Sequence, residues 1–141
     1  MSDEVNEVME CDGYAVANIG ALGEGPGFRK VRRALGVTAF GVNAIELPPG
    51  HETGRHFHEE QEELYFVHRG RVKITLNDDS EHVLGPGGLA RVDAATVRQI
   101  ENVGDEPALY LVAGGKDGYV GRDGQLPEGE TSRFGPAGQP G

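Results

Sequence analysis

His56 and His58 stand one residue apart in the stretch "HETGRHFHEEQEELYFV", and Glu63 follows five positions later. On a strand, side chains at i and i+2 project from one face about 6 to 7 Å apart at the backbone, a workable bite for one metal ion. The four residues from Glu59 to Glu62 could turn the chain so that Glu63 opens the neighbouring antiparallel strand, on the same inner face as Tyr65 and Val67. Two neutral imidazoles and a carboxylate leave positions open on iron, manganese, nickel or zinc for water, dioxygen or a substrate. The plainer reading of the same residues is a polar loop on a small β domain.

The other histidines carry less. His51 sits in the same loop, where it is either a substitute ligand at the mouth of a barrel or a solvated side chain. His68 falls on the strand face opposite Glu63, and His82 lies beside a turn, so both read as surface residues. Glu59, Glu60 and Glu62 read as a solvated charge run.

The elements that must position these groups are short strands. Apolar residues alternate in "YAVANI", "VTAFGVNAIEL", "ELYFV", "RVKITL", "HVL", "LARV", "VRQIE" and "ALYLVA", separated by turn-forming stretches such as "PPGHETG", "NDDS" and "GPGG". No helix-period segment of ten or more residues stands out. In "RVKITL" Val72, Ile74 and Leu76 share one face, as in a strand with one wet side. In "ELYFV" Leu64 and Phe66 share one face and Glu63, Tyr65 and Val67 the other, so both faces call for cover, from a second layer or a partner subunit.

A chain of 141 residues suits a single domain, and 23 Gly and 8 Pro favour many short elements joined by turns. The expected class is all-β, an antiparallel barrel over residues 13–120. An acidic flexible N-terminus over 1–12 precedes it, and a Gly/Pro-rich tail over 121–141 follows. The start of the chain has neither the basic end nor the apolar centre of a signal peptide, and no apolar run spans a membrane. The expectation is therefore a cytoplasmic protein without membrane contact. A net charge of −10 argues against nucleic acid, and the one basic run, "FRKVRR", lacks interleaved stacking aromatics and is read as a solvated face. The single cysteine, Cys11, has no internal disulfide partner.

Gly50, His56, His58, Glu63 and Gly70 together resemble the first cupin motif at every fixed position. The chain is similar to small single-domain cupins over roughly residues 36–113, which implies an antiparallel cupin or jelly-roll β-barrel. The stretch "GPGGLARVDAATVRQIEN" resembles the second motif at Gly87 and Asn102. It departs at Asp93, at Ala95 and at Arg98, which stands where metal-binding cupins place a third histidine. Arg98 should share an inward face with Ile100 and Asn102. A fixed positive charge there opposes a divalent ion by about 4 kcal/mol per unit charge of the ion at 4 Å and an effective dielectric near 20.

Two outcomes stay open at this point. Arg98 swings aside and binds an acidic substrate beside a His56/His58/Glu63 metal site, with Tyr65 and Asn102 lining the cavity. Alternatively, Arg98 pairs with Glu63 and replaces the metal. The resemblance thus implies either a metal-dependent oxidoreductase or isomerase acting on a small acidic molecule, or a metal-free ligand-binding protein without catalysis. It also implies a homodimer.

Overall fold

The computed structural model describes residues 4–77 and 79–127. Strands dominate it: β1 (Met9–Cys11), β2 (Tyr14–Val16), β3 (Gly27–Arg29), β4 (Gly41–Leu47), β5 (Phe57–His58), β6 (Glu62–Arg69), β7 (Val72–Leu76), β8 (Ser80–Leu84), β9 (Leu89–Val92), β10 (Arg98–Asn102), β11 (Ala108–Gly115) and β12 (Gly124–Gln125). A five-residue helix, α1 (Val31–Leu35), lies between β3 and β4. All pairings are antiparallel.

Two sheets enclose the core. One runs β3-β4-β11-β6-β9 and the other β10-β7-β8. Single bridges, Glu52 to Glu101 and His56 to Arg98, lay the segment before β5 along the edge of β10. The strand pattern read from "RVKITL" holds, since Val72 and Ile74 are buried. They pack with Ile45, Leu47, Tyr65, Val67, Ile100 and Tyr110 between the sheets. Asn102 ties the sheets at one end, its amide donating to the carbonyls of Leu47 and Glu106 at 2.8 Å each.

Outside the first sheet, α1 and its flanks cover β4 and β11 through Val31, Val42, Ala44 and Leu109. That cover stops short of β6 and β9. Leu64 and Phe66 are 48% and 37% exposed, and Leu89, paired in register with Phe66, is 60% exposed. Among the described residues, the cover expected on both faces of β6 is therefore present on the inner face alone. Cys11 is exposed and free. No helix among the described residues is long and apolar enough to cross a membrane.

The segment following β11 turns back onto the barrel, where Gly124 and Gln125 pair with His58 and Phe57. Its first residues, assigned to the expected tail over 121–141, thus form a strand against β5; residues 128–141 lie outside the described part.

Candidate metal centre

His56 is placed by its bridge to Arg98, each donating its backbone N–H to the other's carbonyl at 3.0 and 2.8 Å. Residues directly opposed across an antiparallel ladder send their side chains to one face, which brings position 98 beside the histidines. His58 follows two residues on, its N–H donating to the Ala94 carbonyl at 2.8 Å. The two rings meet edge to face with centroids 5.4 Å apart.

Glu63 approaches from the other sheet, as an inward residue of β6 in register with Val92 on one side and Gly114 on the other. The histidines and the glutamate therefore face each other across the barrel interior, instead of sitting on adjacent strands of one hairpin as the sequence reading had it. The backbone explains this. The N–H groups of His58 and Glu59 are taken by Ala94 and Asp123, and β5 pairs with β12, so β5 does not pair with β6. Gly114 makes room for the carboxylate: a Cβ there would stand 2.7 Å from the Glu62 carbonyl and 3.0 Å from Glu63 Cγ. Ligand atoms of His56, His58 and Glu63 all lie within 4.8 Å of one another.

Hydrogen bonds fix which ring nitrogens face inward. His56 Nδ1 lies 3.1 Å from the Gly54 carbonyl, which can only accept, so the proton sits on Nδ1 and the Nε2 lone pair is free. Burial lowers the His56 pKa to about 4, so the ring is neutral at neutral pH, the form that ligates a metal. His58 Nδ1 lies 2.7 Å from Asp123 Oδ1 and donates to it. Asp123 is itself held by the Gln61 amide at 2.6 Å and by the backbone N–H groups of Glu60 and Gln61 at 2.8 and 3.0 Å. Burial pushes its pKa up, but the Gln61 side chain, the Glu60 N–H and His58 outweigh that and hold it well below the usual carboxylate value.

His58 Nε2 then faces Glu63 Oε1 at 3.2 Å, buried and without a hydrogen bond of acceptable geometry. With Nδ1 protonated, both atoms are acceptors. Two lone pairs converging out of water are satisfied only by a cation or a proton between them. Burial raises the Glu63 pKa, but a proton or positive charge on the His58 side, the Tyr65 hydroxyl and Arg98 outweigh it and keep the group below its ordinary value, hence ionised. Tyr65 donates to Glu63 Oε1 at 2.7 Å. Burial first, and then the Glu63 charge, push the phenol well above its ordinary pKa, so it remains a donor.

Arg98 is completely buried. Its Nη2 donates to the carbonyls of Asp93 and Val92 at 2.9 and 3.4 Å, and Nη1 reaches Ala94 at 3.4 Å. The guanidinium is thus tethered to the β9–β10 connection. Its Nε, 4.0 Å from Glu63 Oε1, makes no hydrogen bond. The Arg98–Glu63 ion pair weighed from the sequence stands at 4.0 Å, the outer limit of ion-pair distance and without a hydrogen bond, while the two Nη groups are occupied by the loop.

A cavity of about 200 Å³ opens over the cluster, lined by His56, His58, Glu63 and Tyr65 at its base. Of the other residues singled out in the sequence, Asn102 is buried at the tie between the sheets, and His51 is outside the cluster. His68 and His82 are exposed. Asp123, Gln61 and Arg122 were not found by sequence reasoning, and Lys30, Arg32 and Arg33, read from the sequence as part of a solvated face, line the cavity. Asp123 carries no local signal, because its partner lies 65 positions away.

The family model described as "Cupin domain" matches residues 43–114. Among curated proteins, none matches the chain. A solved structure titled sugar phosphate isomerase, from Silicibacter pomeroyi, is 31% identical with a TM-score of 0.58, covering 74% of this chain and 60% of its own. One titled putative sugar phosphate isomerase, from Acidithiobacillus ferrooxidans, is 29% identical with a TM-score of 0.57, covering 62% of this chain and 56% of its own. A structure titled as DMSP lyases is 28% identical with a TM-score of 0.55, covering 63% of this chain and 44% of its own. The chain thus spans between about two fifths and three fifths of the length of these relatives.

Proposed function

The chain belongs to the cupin family, and from that premise we propose that it is a metal-dependent enzyme acting on a small organic anion by proton transfer. The observation that carries this reading is the buried convergence of His58 Nε2 and Glu63 Oε1 at 3.2 Å, next to the neutral His56. Two neutral imidazoles and one carboxylate suit iron, manganese, nickel or zinc, and would hold such an ion at the cavity base. A divalent ion bound there supplies Lewis acidity to a substrate oxygen. Asp123 orients His58, Tyr65 orients Glu63, and the barrel wall of Ile45, Ile100 and Val112 limits water at the base. The similarity to structures titled sugar phosphate isomerase and DMSP lyase supports non-redox chemistry on an anionic substrate.

A second reading has its own observation. Arg98 Nε is buried, without a hydrogen bond and 4.0 Å from Glu63 Oε1, so a small movement would tighten this long internal ion pair and make a metal-free ligand-binding protein. Elemental analysis of protein purified without chelator, beside His56→Ala and Arg98→His variants, separates the two. Near-stoichiometric transition metal that disappears in His56→Ala supports the enzyme. An empty wild type whose Arg98→His variant loads metal supports the second reading and overturns the first.

We further propose that a second copy of the chain covers Leu64, Phe66 and Leu89, the apolar part of the outer sheet face that α1 leaves open. Light scattering at micromolar concentration tests this, and a monomer mass contradicts it.

A further inference from the structure

Among the described residues, Lys30, Arg32, Arg33 and Arg122 line the cavity that ends at the candidate metal cluster. They come from two segments, the β3–α1 region and the stretch after β11. Arg32 joins these, its guanidinium 4.0 Å from the centre of the Tyr119 ring. None of the four has a carboxylate within ion-pair distance among the described residues, whereas Arg29, Lys73 and Arg91 each do. The carboxylates lining the same cavity are Glu63 and Asp123, and both are engaged at its base.

In a chain of net charge −10, four uncompensated cations around one opening concentrate positive potential where a ligand enters. A monoanionic carboxylate would leave most of that charge unmatched. A phosphate dianion has the charge and the acceptor oxygens to engage several guanidinium and ammonium groups together.

We propose that Lys30, Arg33 and Arg122, with Arg32 steadied on Tyr119, form an anion subsite that takes the phosphate group of a phosphomonoester whose other end reaches the His56/His58/Glu63 cluster. This deepens the functional reading above and rests on it for the inner end of the ligand. The outer subsite stands on its own geometry, so it is tested without metal.

The experiment is a titration of chelator-treated protein with inorganic phosphate at constant ionic strength, followed by amide chemical shifts. Wild type, Arg33→Gln, Arg122→Gln and the double variant are compared, with acetate as a second probe. Saturable shifts centred on residues 28–36 and 119–123 are expected. Each single variant should weaken binding about fivefold and the double variant more, in line with loss of a charge-assisted contact. Acetate should bind more weakly than phosphate. Non-saturable shifts, equal affinity in wild type and single variants, or acetate binding as tightly as phosphate would each overturn the subsite. Both arginines are exposed, so the single variants remain informative even if the double variant melts early. Metal analysis of the same samples reports on the inner cluster separately: an empty cluster with phosphate binding intact would count against the enzyme reading alone.

Discussion

Asp123 Oδ1 lies 2.7 Å from His58 Nδ1, and this contact joins the segment after the last barrel strand to the histidine at the base of the cavity. It fixes the imidazole tautomer and, through the N–H groups of Glu60 and Gln61, the turn that carries the chain from one sheet to the other.

Asp123→Asn removes the charge while keeping the shape. Outer partners of ligating histidines contribute about 10- to 100-fold to metal affinity. The variant should therefore bind Zn(II) or Mn(II) at least tenfold more weakly in competition with a fluorescent chelator. Unchanged affinity would show that the imidazole is held by its ladder bonds alone.

His56→Ala should lose metal without unfolding the barrel, because the ring is only half-buried and lies outside the hydrophobic core. In wild type, metal at about 100 times its Kd should add about 2.7 kcal/mol of stability. That gain should vanish in His56→Ala, while the chelated melting temperatures of the two proteins agree within a few degrees. A thermal shift retained by the variant would place the ion elsewhere.

Arg98→Ala removes the largest fully buried side chain and leaves the carbonyls of Val92, Asp93 and Ala94 without their donor. Loss on the order of 3 kcal/mol in urea unfolding is expected, from cavity formation plus stranded acceptors. A cost under about 1 kcal/mol, within the range of ordinary single substitutions, would mean that water or neighbouring groups replace the guanidinium.

Gly114→Ala places a Cβ against the Glu62 carbonyl and Glu63 Cγ. Backbone on one side cannot yield easily, so destabilisation of about 1 to 3 kcal/mol is expected, with metal affinity falling as the carboxylate is displaced. Equal melting temperatures in the two proteins would show that β6 and β11 can part without cost.

The barrel was legible because its strands alternate on a period of two, and β6, β7 and β10 each send inward the residues that alternation selects, Tyr65 and Val67, Val72 and Ile74, Arg98 and Ile100. The pairing of His56 with His58 was legible for the same reason, since the two share a face. What the sequence misplaced was Glu63, because spacing alone does not say whether four residues turn within a sheet or cross between two. Asp123 was hidden in a Gly-rich stretch with no periodicity, and its role exists only through a contact spanning 65 positions. The run "FRKVRR" was visible, but its destination was not. Three of its cations reach the cavity rim while Arg29 is buried against the Gly25 carbonyl and Glu46, a division set by tertiary packing.

The pairing of β12 with β5 gives the cavity a moving part in the thermodynamic sense. Residues 119–124 supply one wall, and Asp123 supplies the histidine's partner, so docking of that segment and the proposed occupation of the site by a cation would be two equilibria sharing one contact. Such coupling is reciprocal: whatever factor the docked segment adds to ion affinity, the ion returns as resistance of the segment to opening. The stretch after β11 is therefore both a structural strap and a reporter, whose amide exchange would slow as the site fills.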